Sequence, residues 1–263
     1  SRERLGRRRP PLRLVLREAR EGDRRSDGMT PAEWKVFYRE ERARLDLHAM
    51  LERAPRVKAP VIFPHTRAEV TGAFVAAAAK AVAESGADEV LAIGVLHGNP
   101  SPDRRVHLPG EATKNEFSLD AFEALLAIAN DQVRVHARYP LHVGTNPSDL
   151  EGIDELARLA ERMPVVATCD PIHHGEGYGD PPEKTCDAPA AVDAQLHALF
   201  AHDYAAFQDE CARVRSDFRN AGPVLAHVVG HTAFEVVALE RVDYTQVLGA
   251  PCWVAGALVQ VAG

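Results

Sequence analysis

The chain has 263 residues, of which 46% are hydrophobic and 26% charged, and its formal net charge is −7. These values belong to a globular protein with a sizeable core, and they exclude whole-chain disorder, a collagen-like repeat and a coiled coil. No stretch approaches the roughly 18 apolar residues of a membrane span. The four cysteines, Cys169, Cys186, Cys211 and Cys252, include no CxxC pair, which argues against a disulfide scaffold or a cysteine zinc site.

Charge is unevenly spread. Residues 1–27 hold ten arginines against five acids, a net of +5, so the rest of the chain carries −12. A short basic arm without interleaved aromatics, ahead of an acidic body, argues against nucleic acid as a partner. It suits a solvated or subunit-wrapping extension, and with it a homo-oligomer. No apolar segment follows the arginines as in a signal peptide, which predicts a cytoplasmic protein. Residues 1–28 are therefore read as an extended arm and 29–263 as a single domain.

After the arm, Thr30 reads as a helix N-cap with Pro31 at the first helical position, and a charged amphipathic helix is expected from Ala32 to about Ala54. Val57 to Pro64 reads as a strand ending in Pro-His-Thr, followed by an alanine-rich helix from Ala68 to Ser85. Glu89 to Leu96 is a continuous apolar run, the mark of a strand buried on both faces, and it ends in His97-Gly98. The pattern recurs with a helix over Ser118–Asn130, a strand over Gln132–Arg138 and a helix over Asp149–Arg162. Pro164 to Thr168 is a further buried strand, running into Cys169-Asp170-Pro171-Ile172-His173-His174. A long helix is expected from Ala188 to about Arg215, a second helical stretch over Gly230–Glu240, and two closing strands, Val242–Leu248 and Trp253–Val261. Alternating strands and helices predict an α/β fold, with a central, mostly parallel or mixed sheet flanked by helices.

Three of these strands end in histidine: His65, His97 and His173. Parallel strands deliver their carboxyl ends to one edge of the sheet, where α/β proteins bind ligands. Neutral imidazoles on rigid strand ends suit a first-row divalent metal. For a third ligand, His227, His231 and Glu235 are four apart and share a face of the expected helix. Glu235 stands among apolar neighbours and needs a partner if buried, or it is a surface acid facing water. Two histidines and one carboxylate form the facial set of non-haem Fe(II) oxygenases, and zinc hydrolases use the same ligand types. The expected cofactor is Fe(II), with zinc, manganese or copper as alternatives.

Several motifs resemble the Memo-like family. Pro64-His65-Thr66-Arg67-Ala68-Glu69-Val70-Thr71-Gly72 is similar to its Pro-His-Ala-Gly-Tyr-x-Tyr-Ser-Gly segment, and Ala92-Ile93-Gly94-Val95-Leu96-His97 to its strand ending in Gly-Pro-Ser-His. Glu116-Phe117-Ser118-Leu119-Asp120 resembles its Glu-His-Ser-(Leu/Ile)-Glu, and Val165 to Gly175 its Val-Val-Ser-Ser-Asp-Phe-x-His-x-Gly. The resemblance covers residues 57–263. It implies the fold shared with class III, LigB-like extradiol dioxygenases, which open catechol-type rings at an Fe(II) held by two histidines and a glutamate. Memo-like proteins supply a cysteine near the C-terminal helix, whereas no cysteine lies between Cys211 and Cys252 here. Gly230 to Val237 instead looks like the glutamate-bearing helix start of the ring-cleaving enzymes.

The expectation is thus an oxygenase acting with O2 on a small phenolic, catecholic or aminophenolic substrate. His65, His97 and Glu235 would hold the metal. The resemblance implies His173 as the base, with Asp170 orienting it or binding substrate. His231 and His174 are lesser candidates for substrate contact, and Arg67 and Lys114 could hold a substrate carboxylate. A Memo-like metal-binding protein without turnover, and a zinc or manganese hydrolase, are the alternatives.

Overall fold

The computed structural model describes residues 29–98, 102–230 and 232–262. The arginine-rich arm and His231 lie outside the described residues. Helix α1, Pro31–Arg42, begins as expected at Thr30, whose hydroxyl accepts from the Glu33 amide while Glu33 accepts from the Thr30 amide at 2.7 Å. The single helix expected up to Ala54 is two, because Asp46 restarts the chain as the cap of α2, Leu47–Arg53, accepting from Ala49 N at 3.0 Å.

Strands β1 (Val61–Phe63), β2 (Glu89–Ile93), β4 (Arg134–Leu141) and β5 (Val165–Thr168) are parallel, in the spatial order β4-β2-β5-β1. Helices α3 (Ala68–Ala83), α4 (Asp120–Ala129) and α5 (Ile153–Ala160) supply the crossovers that parallel pairing requires. Each central strand is buried on both faces. Val61, Phe63, Val90, Ala92 and Val166 pack with α2, α3 and α4, while Ile62, Leu91, Ile93 and Ala167 face the core built with α5 and the helical segments that follow between Ala188 and Val229. Each Val, Leu, Ile or Phe among them contributes about 1.5–3 kcal/mol by leaving water.

The edges are antiparallel. Strand β3, Arg105–His107, joins β4, and β8, Cys252–Val261, lies against β1 at Val259 and Gln260 and against β6, Ile172–Gly175, at Cys252–Ala255. The long helix expected over 188–215 is two, α6 (Ala188–Phe200) and α7 (Tyr204–Val214), since Asp203 caps the second by accepting from Ala206 N at 3.1 Å. Helix α8 spans Ala221–Val229 and stops at Gly230, whose φ of +76° ends it.

The helix expected over 230–240 is instead the strand β7, Phe234–Asp243, pairing along β8 with an irregularity between Val236 and Ala238. Phe234, Val236, Val237 and Val242 favour a pleated, half-buried surface, and the neighbouring strand outweighs the four-residue spacing of His227, His231 and Glu235 in the sequence. The expected strand Val242–Leu248 likewise ends at Asp243 and gives way to a short helix, α9, Thr245–Leu248.

β2, β5 and β1 are neighbours, so the segments beyond Ile93, Thr168 and Phe63 leave the sheet side by side and form a crevice. Gly256 keeps the β1 segment close to β8: a Cβ there would lie 2.7 Å from Thr71 Cγ2 and 3.1 Å from Pro64 Cβ. Among the described residues no helix is long and apolar enough to cross a membrane.

Candidate metal centre

His65 stands two residues past β1 and is buried. Its Nδ1 lies 3.0 Å from Thr168 Oγ1, and its backbone amide and that of Thr66 donate to Asp170 Oδ1 at 3.1 and 3.2 Å. These contacts fix the ring and turn Nε2 toward the crevice. His97, four residues past β2, is held in the same manner: its amide donates to Glu116 Oε2 at 2.7 Å, its Nδ1 lies 3.1 Å from Glu116 Oε1, and its ring stacks on Phe117 with centroids 4.5 Å apart. The two imidazole centroids are 5.1 Å apart. An imidazole whose far nitrogen is tied to an oxygen, with the near one presented to a shared space, is the arrangement of metal-binding histidines.

Facing both is a carboxylate that no local sequence pattern marks. Asp217 opens a short 3-10 turn, Asp217–Arg219, after Ser216, and its Oδ1 accepts from the Asp170 amide at 2.8 Å. Oδ2 lies 3.0 Å from His65 Nε2 and 3.8 Å from His97 Nε2. Although buried, Oδ2 makes no hydrogen bond of acceptable geometry among the described residues. A buried acceptor left without an aligned donor calls for an ion or water. Donor atoms of His65, His97 and Asp217 all lie within 4.8 Å of one another, so the set fits a divalent cation. A second group, Asp170, His173 and Asp217, meets the same criterion and shares Asp217.

Charge in the crevice is finely balanced. Burial opposes ionisation of His65, yet Asp170 and Asp217 outweigh it and raise its pKa. His97 is likewise penalised by burial but pushed up to about 10 by Glu116 and Asp217. Burial works against the Asp217 anion too, and the two imidazoles override it and hold the carboxyl far below its usual range. Asp170, also buried, is raised. Strongly shifted groups converging at one sheet edge mark this crevice as the functional candidate.

No family model matches the chain, and no curated protein matches it.

The assignment therefore rests on the side chains. Of the residues singled out in the sequence, His65, His97, Asp170 and His173 come together. Glu235 does not: it is exposed and pairs with Gln260, which lies opposite Val61 at the amino end of β1, away from the crevice. Its place is taken by Asp217. His174 faces away, with Nδ1 3.0 Å from Asp180 Oδ2 and its ring beside Trp253. His227 sits half-buried on α8, outside both donor groups. Arg67 is engaged by Glu41 at 2.9 Å and by Glu69, and Lys114 by Glu111.

His173 lies on a strand of its own, β6, rather than at the end of β5, and its Nδ1 is 2.8 Å from the Arg215 carbonyl. A carbonyl can only accept, so Nδ1 carries a proton and Nε2 is the nitrogen left to face other groups. Arg215, at φ +53°, is steadied in turn by Asp180. Buried Asp180 also accepts from the Gly175 amide at 3.0 Å and from Lys184 Nζ at 2.8 Å. Burial disfavours its charge, but these donors depress its pKa well below the ordinary range. A depressed carboxylate contributes stability that is present above the unfolded value near ~3.9 and lost as pH falls toward the folded one. Asp180→Asn should cost about 2 kcal/mol at pH 7, below the figure for fully buried pairs because Lys184 and Arg215 are partly solvated. Urea unfolding at pH 7 and pH 3 checks this: the gap between variant and parent should narrow at the lower pH.

Glu116, matched in the sequence but given no role there, accepts from three backbone amides, those of His97, Phe117 and Ser118, each at 2.7 Å. Burial raises its pKa, and His97 with these amides more than offsets the effect, leaving it lowered. Glu116→Gln should keep the fold and weaken metal binding about 10- to 100-fold by loosening His97, as read by competition with a chromophoric chelator.

Proposed function

We propose that this chain is a non-haem Fe(II)-dependent oxygenase of the extradiol type, acting on a small phenolic, catecholic or aminophenolic substrate. The observation that carries the reading is the buried Oδ2 of Asp217, 3.0 Å from His65 Nε2 without an aligned donor, between two imidazoles whose far nitrogens are already anchored. The donor set is two histidines and one carboxylate, which leaves coordination positions open for other molecules. The resemblance to the Memo-like family supports the same reading through the segments that carry His65, His97 and His173, but not through residues 230–237, where Glu235 is exposed on a strand.

His65 Nε2, His97 Nε2 and Asp217 Oδ2 would hold the ion. A ferrous ion, when bound, supplies the one-electron chemistry through which O2 reacts with a closed-shell aromatic ring. The protein's own work is acid–base and positional. His173 receives the substrate hydroxyl proton at Nε2, with its tautomer set by the Arg215 carbonyl. Asp170 fixes the His65 segment through two backbone amides and adds a buried carboxyl beside His173. Ring cleavage places both atoms of O2 in the product and needs no external reductant.

A second reading, a zinc or manganese hydrolase, is favoured by one feature: the two donor groups share Asp217, as a carboxylate between two cations would be shared. Anaerobic loading with Fe(II), followed by O2-uptake measurements with a catechol panel, separates the readings. Uptake with coloured ring-opened products supports the oxygenase. Hydrolysis without uptake supports the second reading, and tight binding with neither activity supports a metal-binding protein without turnover.

A further inference from the structure

A cavity of about 960 Å³ opens beside the metal centre, with His97 and Asp217 in its wall. Its size is at the upper end for small-molecule sites. Val95, Leu96 and Leu141 are apolar members of its lining. Arg215 and Arg219 line it too, while Asp217, itself a member of the metal set, is the sole carboxylate among the lining residues. In a chain of net charge −7 this is a local excess of positive charge.

The two arginines are not equivalent. The Arg215 guanidinium is paired with buried Asp180. Arg219 leaves the same turn as Asp217, two residues later, and is exposed. Its carbonyl accepts from Gln208 Nε2 at 2.7 Å, which pins its backbone, and among the described residues no carboxylate lies within ion-pair distance of its guanidinium. The facing rim is fixed as well. Val143 N donates to Asn220 Oδ1 at 3.2 Å, Arg104 holds the Val143 carbonyl at 2.8 Å, and His142 adopts φ +54°. A left-handed backbone at a non-glycine residue persists where the surroundings impose it, often beside a binding site.

We infer that Arg219 is the specificity-determining residue of this cavity and that the ligand carries one anionic group, a carboxylate, on a small apolar body. One uncompensated guanidinium matches one negative charge, and its planar fork matches a carboxylate. The apolar lining residues take the body of the ligand, whose reacting end is turned toward His97 and Asp217 in the same lining. This extends the proposed function and rests on the metal centre for the position of the reacting end, but the anion site is testable without turnover.

The test is calorimetric titration of the full chain, loaded with redox-silent Zn(II), with 2,3- and 3,4-dihydroxybenzoate and with catechol. At least one of the carboxylates should bind about tenfold tighter than catechol, with a salt-sensitive margin. Arg219→Gln should erase that margin while leaving catechol affinity and the melting temperature unchanged, and Arg219→Lys should restore part of it. Equal affinity of all three ligands for the parent protein, or a margin that survives Arg219→Gln, overturns the inference. O2 uptake with Fe(II) is read separately. A margin without uptake sinks the oxygenase and keeps the anion site, and uptake without a margin does the reverse.

Discussion

Asp217→Asn is expected to lower metal affinity by more than about 100-fold, beyond the effect of changing a residue that only supports a ligand, whereas Glu235→Gln leaves affinity unchanged. The asparagine keeps the oxygen that accepts from the Asp170 amide, so the turn should survive. What it removes is the anionic oxygen 3.0 Å from His65 Nε2. An amide nitrogen there offers donors where a cation needs a lone pair. Two readouts follow. Elemental analysis after dialysis should find metal in the parent and in Glu235→Gln but not in Asp217→Asn. Added metal at a thousand times its Kd should stabilise the parent by about 4 kcal/mol, a gain absent from the variant. If Asp217→Asn retains metal, the triad is misassigned and the buried oxygen needs another explanation.

The contrast between Asp217 and Glu235 shows where sequence reasoning succeeds and stops. The parallel core was legible because Leu91, Ile93, Val165 and Val166 sit in short apolar runs closed by Gly, Pro or His. That pattern has one stable interpretation, a strand covered on both sides. His65 and His97 followed from it, since a strand's end is also the edge where ligands gather, whereas Asp170 entered only through the family resemblance. Asp217 follows from no such rule. It reaches the site because the backbone of Asp170, 47 residues earlier, donates to it, and that is a tertiary event. Glu235 had the better local credentials, an acid four residues from His231 in apolar company. The spacing meant nothing once Gly230 ended the helix and β8 offered a partner to the valines that follow. The splits at Asp46 and Asp203 have a milder cause: an aspartate that caps a new helix looks, in a periodic sequence, like one more polar position.

His173→Ala carries the second large effect and also separates the two chemistries. If His173 is the base of an oxygenase, its loss should leave one equivalent of iron bound by His65, His97 and Asp217 and lower kcat roughly 10²- to 10⁴-fold. If His173 is instead a ligand in a two-cation hydrolytic site, the same substitution should remove one of two metal equivalents. Metal stoichiometry thus distinguishes the roles before any substrate is known. The geometry favours the base. The Arg215 carbonyl fixes the tautomer, β6 holds the backbone against Val254 of β8, and Tyr178 packs its ring edge-on with centroids 5.0 Å apart. Such a ring is oriented but not drawn into the first donor group, as a residue that must exchange a proton should be. A histidine restricted to one tautomer also predicts that His173→Asn will not rescue turnover, because the asparagine amide nitrogen takes the place of Nδ1 and keeps the hydrogen bond to Arg215 but has no titratable nitrogen to offer the substrate. Recovery of turnover in His173→Asn would move the base elsewhere, and Asp170, buried and raised in pKa beside it, would be the next residue to replace.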